Sequence, residues 1–312
     1  MNWRNKARMA QLVAKLPAGL SYAAYYFMQR QIGALRAANP TRGLKAGVTI
    51  AGLVRTHRGE LSGSETFLEV GTGWSVTLPI ALWLCGAYRT ITVDLNRYLK
   101  SELVLEELDY IRTHQETVIE LFGPQSTNPV FRERLDLLLA SGTNLDRILS
   151  MINVQYIAPA NAAQLQLPDE SIDYHISFMV MQHIRRDLIP GILLEGSRLI
   201  KPDGLFIHYT VFSDLFSGVD NSISSVNFLQ FTEAEWEAIA GNRYMYHNRL
   251  RVDELQQLFE RSGLTVLQLD TKIDSAGIRA LESGQLSLAD RFRDKAIETN
   301  ATASAWVTAT KV

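Results

Sequence analysis

The sequence Phe67-Leu68-Glu69-Val70-Gly71-Thr72-Gly73-Trp74 decides the fold of this chain, and the apolar run from Val76 to Leu84 follows it. Its first four residues are typical of a buried strand, and two glycines one residue apart then indicate a tight turn before a helix. Such a turn lets the backbone come close to a ligand and presents free N–H groups at a helix N-terminus. This stretch therefore predicts a turn that binds a nucleotide or nucleoside.

A second strand end supports this interpretation. The apolar run Tyr88 to Val93 ends in Asp94, about 20 residues beyond the glycine turn, which is the spacing of dinucleotide- and nucleoside-binding folds. A carboxylate at this place can accept hydrogen bonds from both hydroxyls of a ribose. The two strand ends together predict a site for a ligand that contains a nucleoside.

The composition limits the class of protein. The chain has 312 residues, of which 46% are hydrophobic and 21% are charged, as in ordinary globular proteins. With 31 Lys and Arg against 33 Asp and Glu, the net charge is -2, so no bulk excess of positive charge favours nucleic acid as a partner. The single cysteine, Cys85, excludes an intrachain disulfide and a Cys-based zinc cluster. No run reaches the roughly 18 to 20 apolar residues of a membrane span, so we expect a cytoplasmic protein without a membrane partner.

Strand-like and helix-like segments alternate along the chain, which predicts an α/β fold with a mostly parallel sheet and helices on both faces. A helical insertion at about residues 97–153 separates the second and third strands, and a polar segment at about 213–250 follows the fifth. The tetrad Lys201-Pro202-Asp203-Gly204 predicts a type I turn before that fifth strand. We therefore divide the chain into an N-terminal helical cap, residues 1–60, and a sheet-containing domain, residues 61–312, whose two added segments shape the substrate site.

Five motifs occur in register between residues 67 and about 212. They are Glu69 to Gly73, Asp94, Asn161-Ala162, Leu167 to Asp173 and Leu199 to Leu205. In this order and spacing the motifs resemble those of the class I S-adenosylmethionine-dependent methyltransferases. The resemblance implies a Rossmann-like, seven-stranded sheet whose last strand is antiparallel. It also implies an enzyme that uses S-adenosylmethionine and releases S-adenosylhomocysteine.

The resemblance also assigns residues to the cofactor. These are Glu69, Gly71, Thr72, Gly73, Asp94, Leu95, Asn161, Ala162, Ser177 and Phe178. Glu69 would lie near the amino group of the cofactor, Asp94 would bind its ribose hydroxyls, and Leu95 would lie alongside its adenine. The glycines would border the methionine part, and the Asn161-Ala162 pair the adenine edge. The Ser177-Phe178 pair, at the end of the fourth strand, would border the sulfonium and the substrate.

Two positions depart from the family pattern, and two other functions stay open. Ser75 stands where a third small glycine is common, and Asn161 stands where Asp is commoner. A nicotinamide dinucleotide fold would need Gly-x-Gly-x-x-Gly, and the β-branched Val76 occupies its third glycine position, which ranks an oxidoreductase below a methyltransferase. A cofactor-binding subunit without chemistry is the other alternative, and the intact glycine motif ranks it low.

Histidines are the candidate catalytic residues. If the acceptor is a hydroxyl, a general base near the methyl group lowers the barrier, and His titrates near neutral pH. His183 follows the fourth strand at the edge of the expected substrate site, and His247 lies in an aromatic, polar segment. His183 is explained equally well as a polar residue at the start of a helix, without a role in catalysis. His208 lies within the fifth strand and is better explained as a structural residue. The histidines form no H-E-x-x-H motif and no close pair with a carboxylate, so we expect no metal site.

The class of methyl acceptor is predicted from the segments around the expected substrate site. The candidates for a lid or a substrate contact are Tyr22, Tyr25, Tyr26 and Trp74. The alternative for the three tyrosines is a helix that packs its apolar face on the domain. We predict O-methylation of a small molecule or glycan, with N- or C-methylation as the alternative. We expect no nucleic acid partner and leave a homodimer open.

Overall fold

In the computed structural model, which describes residues 2–33, 35–37 and 39–312, strands and helices alternate as the sequence predicts. The strands are β1 Thr66–Val70, β2 Arg89–Val93, β3 Val154–Ile157, β4 Ile172–Phe178, β5 Ile200–Val211, β6 Leu264–Ile273 and β7 Thr302–Lys311. The α-helices are α1 Trp3–Ala14, α2 Ala18–Ile32, α3 Thr41–Arg58, α4 Thr77–Leu84, α5 Ser101–Thr113, α6 Gln115–Phe122, α7 Pro129–Leu139, α8 Leu145–Met151, α9 Ile189–Leu199, α10 Glu233–Ala240, α11 Val252–Arg261, α12 Ser275–Glu282, α13 Asp290–Arg293 and α14 Ile297–Ala301.

The strands form one seven-stranded sheet in the order β3-β2-β1-β4-β5-β7-β6. β1 pairs in parallel with β2 and β4, and β2 pairs in parallel with β3. β7 runs antiparallel to β5, because the N–H of Phe212 donates to the carbonyl of Ala303 while the hydroxyl of Thr310 donates to the carbonyl of Gly204. The predicted Rossmann-like sheet with an antiparallel last strand is confirmed.

β1 lies where the strand order reverses. After β1 the chain builds β2 and β3 on one side of it, and then returns to place β4 on the other side. Open α/β sheets bind ligands at such a switch point, in the crevice outside the carboxyl ends of the strands. The glycine turn follows β1 and Asp94 follows β2, so both lie at this edge of the sheet.

The helix after the glycine turn is buried along its whole length. All eight residues of α4 are buried, because the segment is apolar on every side and belongs to the same core as side chains of α5, α6 and α7. The helix begins at Thr77, since residues 71–76 form the turn. Cys85 follows α4 half-buried against this core, and burial raises the pKa of its thiol to about 12.

β5 begins at Ile200, five residues before the predicted start at Leu205. A Cβ on Gly204 would lie 2.3 Å from Cγ1 of Ile200. Since four residues of straight strand would span about 13 Å, the chain folds back between these two residues, which agrees with the predicted turn. The ammonium of Lys201 lies 2.7 Å from the carboxylate of Asp173 and holds this turn against β4.

The chain divides into two compact units. The first consists of Met1–Ala37, Met179–Pro190 and Tyr209–Val307, and the second of Ala38–Phe178, Gly191–His208 and Thr308–Val312. The predicted helical cap, residues 1–60, is therefore divided between the two units. Its helices α1 and α2 belong to the first unit, and α3 belongs to the second. A functional division at residue 60 stays a prediction.

The two added segments predicted from the sequence are largely packed. In the helical insertion, Leu108, Ile111, Phe122 and Phe131 are buried in the core that includes α4. In the polar segment at about 213–250, buried aromatic side chains form the core of the first unit with Trp3 of α1. They are Phe216, Phe228 and Trp236. Packing accounts for these side chains, and the influence of both segments on the substrate stays a prediction.

Gly47 of α3 packs so closely against α4 that no side chain fits between the two helices. A Cβ there would lie 2.4 Å from the Cβ of Ala81 and 3.2 Å from the carbonyl oxygen of Leu78. We expect Gly47→Ala to lower the free energy of unfolding by about 1–3 kcal/mol, because the two helices must separate.

Urea denaturation monitored by circular dichroism measures this change. Gly52→Ala, on the same helix, is the matched control, because a Cβ there would meet no atom within 4 Å. We expect this control to be neutral or to stabilise by up to about 1 kcal/mol through helix propensity. Equal effects of the two substitutions would contradict the close packing.

Candidate functional site

The glycine turn after β1 has the backbone conformation that its sequence predicts. Gly71 and Gly73 adopt φ angles of 87° and 67°, which L side chains rarely adopt. The N–H of Gly71 donates to the carbonyl of Val93 at 2.7 Å and ties the turn to the end of β2. A Cβ on Gly73 would meet no atom within 4 Å, so space is open beside this backbone. The turn therefore presents bare backbone at the switch point of the sheet.

Asp94 is fixed beside this turn by two backbone donors. Its Oδ2 accepts from the N–H of Gly73 at 3.0 Å, and its Oδ1 accepts from the N–H of Asn96 at 2.9 Å. Each carboxylate oxygen keeps a further lone pair, which can accept from a ribose hydroxyl. Burial raises the pKa of Asp94, and the backbone N–H groups oppose this shift. The next residue, Leu95, is 69% exposed and offers an apolar side chain to a flat base.

Glu69 is buried beneath the turn, with only 4% of its surface exposed. Its Oε2 accepts from the hydroxyl of Thr92 at 2.5 Å, and the hydroxyls of Thr92 and Thr72 lie 2.6 Å apart. Burial raises the pKa of Glu69 to about 8, the Thr92 hydrogen bond lowers it, and the Asp94 carboxylate raises it. In this structure Glu69 therefore supports the turn from below as a protonated carboxyl at neutral pH.

Thr92 is a site residue that sequence reasoning missed. It pairs directly with Glu69 in the parallel register of β1 and β2, and it is fully buried. The available signal was a threonine two residues before Asp94 in the second strand, which places its hydroxyl in the sheet beside the turn.

The loop after β3 reaches the same site. The N–H of Ala160 donates to the carbonyl of Asp94 at 2.8 Å, which joins this loop to the end of β2. Asn161 is exposed, and its Oδ1 accepts from the N–H of Ala163 at 3.0 Å. Ala162, between them, is half-buried. The structure thus brings the predicted residues after β1, β2 and β3 together.

Ser177 and Phe178 end β4, but the side chain of Ser177 is fully buried. Its Oγ lies 2.7 Å from Nδ1 of His208, and Nε2 of His208 lies 3.2 Å from Nδ1 of His175. Burial lowers the pKa of both histidines, which agrees with the structural role predicted for His208. At Ser177 the backbone is therefore the part that can face a ligand, while Phe178 is half-buried.

Trp74 and the residues after it are attached to α5. The Trp74 ring lies 5.0 Å from the ring of Tyr98, and its carbonyl accepts from the N–H of Lys100 at 3.1 Å. Glu107 of α5 accepts from the hydroxyls of Ser75 and Thr77. Burial raises the pKa of Glu107, and these hydroxyls lower it. The sequence contains no motif that singles out Glu107 for this contact.

The two candidate catalytic histidines lie together in the first unit, with ring centroids 6.3 Å apart. Nδ1 of His183 lies 2.8 Å from the carbonyl oxygen of Tyr246, so in the neutral ring Nδ1 carries the proton and donates it. Nε2 of His183 then holds the lone pair that a general base needs. Part of this side chain is exposed, and burial of the rest lowers its pKa.

His247 has a different environment. It is buried, and its Nδ1 accepts from the N–H of Arg249 at 3.0 Å. Its ring packs edge-on against Phe228 at 5.2 Å. Burial lowers the pKa of His247 well below the ordinary value, and the neighbouring His183 and arginines add to this effect. Of the two histidines, only His183 combines an oriented lone pair with exposure.

The predicted lid tyrosines lie on α2 in the first unit. The ring of Tyr25 stacks on Tyr244 with centroids 4.0 Å apart, and the hydroxyls of Ser21 and Tyr244 lie 2.7 Å apart. Tyr22 and Tyr26 are half-buried on the same helix. The structure therefore joins Tyr25 to the segment at about 213–250, and a lid function for these tyrosines stays a prediction.

Two clefts of about 510 and 430 Å³ run along α1 in the first unit. α10 contributes Ala238 to both of them, and α1 contributes Gln11. Neither of these two clefts is lined by a residue predicted for the cofactor or for catalysis. Within the described part of the chain, no group of three or more His, Cys, Asp or Glu side chains has an arrangement that could hold a metal ion.

Comparison with known proteins gives one family match. The family described as a methyltransferase domain matches residues 137–208. These residues contain β3, β4 and most of β5, including the Asn161-Ala162 loop and Ser177. A search of curated proteins finds no match.

Solved structures with a similar fold include three methyltransferases. Geranyl diphosphate C-methyltransferase from Streptomyces coelicolor A3(2), in complex with Mg²⁺, geranyl diphosphate and S-adenosyl-L-homocysteine, is 13% identical, with a TM-score of 0.45 over 85% of this chain and 79% of that chain. An S-adenosylmethionine-dependent methyltransferase from Methanosarcina mazei is 14% identical, with a TM-score of 0.44 over 83% and 97%. Magnesium protoporphyrin IX methyltransferase from Synechocystis PCC 6803, with bound S-adenosylhomocysteine, is 13% identical, with a TM-score of 0.43 over 86% and 84%. These similarities concern the fold alone.

The buried Glu69 predicts a specific dependence of stability on pH. Its folded-state pKa of about 8 exceeds the ordinary value of 4.5, so the folded chain binds more protons than the unfolded chain between these values. The free energy of unfolding must therefore fall as pH rises through this window, by up to about 5 kcal/mol from this group. Glu69→Gln, which cannot ionise, is expected to remove that part of the pH dependence.

Urea denaturation at pH 5 and pH 8 tests this expectation. The variant should gain stability relative to the wild type on going from the lower to the higher pH. Glu282→Gln, at an exposed carboxylate on α12, serves as the control and should follow the wild type. Parallel pH profiles for wild type and Glu69→Gln would show that Glu69 ionises normally in the folded protein.

Proposed function

We propose that this chain, which is an S-adenosylmethionine-dependent methyltransferase, transfers the methyl group to a hydroxyl of a small molecule or sugar. The observation that carries the proposal is the bare glycine turn, whose backbone is tied to Asp94 at the switch point of the sheet. The acceptor class rests on the orientation of His183.

The residues at the switch point fit the cofactor. The open space beside Gly73 accommodates a ligand against the backbone, and the remaining lone pairs of Asp94 suit two hydroxyl donors. Leu95 offers apolar surface for the adenine, and the Asn161 loop is attached to Asp94 through Ala160. When bound, S-adenosylmethionine supplies a methyl group that its sulfonium already activates. The protein therefore has to align the acceptor with that methyl group and exclude water.

For a hydroxyl acceptor, a base must also remove a proton. The carbonyl of Tyr246 holds the Nδ1 proton of His183, which leaves Nε2 to accept the hydroxyl proton. Burial lowers the pKa of His183, which favours the neutral ring that a base requires. Such a base contributes about 10²- to 10⁴-fold to the rate. A preference for a small molecule or glycan over nucleic acid is supported by the near-neutral net charge.

Asp94 provides the test of cofactor binding. We expect Asp94→Ala to weaken binding of S-adenosylhomocysteine by at least about tenfold, because hydrogen bonds to a carboxylate are lost. Isothermal titration calorimetry measures the dissociation constant. Asp109→Ala, at an exposed carboxylate on α5, is the matched control and should bind like the wild type. Binding of NAD in place of S-adenosylhomocysteine would overturn the methyltransferase site.

His183 provides the test of O-methylation. The purified enzyme is incubated with an isotope-labelled methyl donor and a panel of alcohols, sugars, amines and carbon nucleophiles, and NMR of the product identifies the methylated atom. With a hydroxyl acceptor, we expect His183→Ala to lower kcat by about 10²-fold or more and to leave the dissociation constant of S-adenosylhomocysteine unchanged.

His57→Ala, on α3, is the control and should retain full turnover. A methylated nitrogen or carbon in the product would favour N- or C-methylation over the proposed reaction. Full turnover of His183→Ala on a hydroxyl would remove His183 from the role of base.

A further inference from the structure

The positive charge of this chain is concentrated in its first residues. Residues 1–59 contain 10 Lys and Arg and no Asp or Glu, which leaves 21 basic and 33 acidic residues in the rest of the sequence. Within the first unit, residues 1–37 contain six of these cations and no acidic side chain. The net charge of -2 therefore conceals a basic segment on an acidic protein.

The same segment exposes large apolar side chains. On α1 and just after it, Met9, Leu12 and Leu16 recur at intervals of three and four residues and so share one side of the helix. The opposite side of α1 carries Trp3 and Ala7, which are buried. Leu12 is 66% exposed. α1 is therefore apolar on two sides, and only one of them packs against the protein.

α2 continues this pattern. Leu20 and Phe27, two turns apart on one side of α2, are each 65% exposed. The turn that joins the two helices, residues 15–17, and the first three residues of α2 are exposed throughout. We call Met9, Leu12, Leu16, Leu20 and Phe27 the apolar stripe.

Cations flank the apolar stripe on α1. Arg8 lies four residues before Leu12 and Lys15 lies three residues after it, so both are neighbours of Leu12 on the helix surface. Arg8 and Lys15 are exposed, and neither belongs to an ion pair among the described residues. Arg4, one turn before Arg8, is also exposed. This arrangement combines exposed apolar side chains with exposed positive charge on one surface.

We propose that the α1–α2 hairpin binds peripherally to an anionic lipid bilayer, with the apolar stripe inserted between the lipids and the flanking cations at their headgroups. Helices that lie in a membrane interface have this composition, with large apolar residues on one side and Lys and Arg beside them. Within the described residues, no helix is long and apolar enough to cross a membrane, so attachment is to the surface.

Charge complementarity separates a bilayer from the other candidate partners. A second copy of the chain would bring the same cations to the stripe, and like charges repel. Nucleic acid would match the cations, but it would leave leucine and phenylalanine side chains in water. An anionic bilayer satisfies both parts of the surface. This proposal differs from the prediction of no membrane partner, which rested on the lack of a spanning segment.

Sedimentation with lipid vesicles tests the proposal on the full chain. We expect the protein to sediment with phosphatidylcholine vesicles that contain about 30% phosphatidylglycerol, and not with pure phosphatidylcholine. Binding should weaken as NaCl rises from about 50 mM to about 500 mM. Leu12→Glu and Phe27→Glu should each lower the partition coefficient by about tenfold or more. Arg8→Gln should lower it by about fivefold.

Leu194→Glu is the matched control, because Leu194 is 57% exposed on α9 outside the hairpin. It should bind vesicles like the wild type. Since the substituted side chains are exposed, circular dichroism and melting temperature should be unchanged in all variants. Each of three results would overturn the proposal. These are an absence of binding to anionic vesicles at low salt, a dimer in light scattering that Leu12→Glu dissociates, and binding to an RNA oligonucleotide without binding to vesicles.

Discussion

Two hydrogen bonds that backbone N–H groups donate between neighbouring strand ends organise the proposed cofactor site. The N–H of Gly71 donates to the carbonyl of Val93, and the N–H of Gly73 donates to the carboxylate of Asp94. Both bonds require the chain to turn with positive φ directly after β1, which restricts these positions to glycine in practice. Because β1 and β2 are parallel neighbours, the turn and the carboxylate meet at one edge of the sheet. The shape of the site is therefore built into the backbone, before any ligand is bound.

Buried polar groups support this site, although their burial costs the free energy of their hydration. Glu69 and Thr92 lie beneath the turn, and the raised pKa of Glu69 reflects the difficulty of keeping a charge there. The first unit uses buried cations in a related way. The Arg251 guanidinium donates to the carbonyls of Phe212 and Thr302 at 2.6 and 2.7 Å, and burial lowers its pKa to about 9. These hydrogen bonds connect the end of β5 to the start of β7 within the first unit.

The proposed cofactor site and the proposed membrane attachment lie in different units of the chain, while the proposed base shares a unit with the attachment. The glycine turn, Asp94 and the loop after β3 lie in the second unit, whereas His183 and the α1–α2 hairpin lie in the first. The net charge of the whole chain did not indicate the hairpin, because the acidic residues beyond residue 59 offset its cations. Only the exposure of Leu12, Leu20 and Phe27 shows that these apolar residues are not part of the core.

The sequence by itself determined the mostly parallel sheet and the place of the glycine turn, because these follow from local signals, whereas the antiparallel last strand was implied by the resemblance to a family. Apolar runs, glycine spacing and the acidic residue at a strand end act over a few residues. Element ends were less accurate, as the early start of β5 at Ile200 shows, because the chain folds back between Ile200 and Gly204 inside this strand. Only the tertiary structure decided which side chains face a ligand. It turned Ser177 inward to His208, placed Glu69 on Thr92 and set the tautomer of His183 through Tyr246, because each contact joins residues that are distant in sequence.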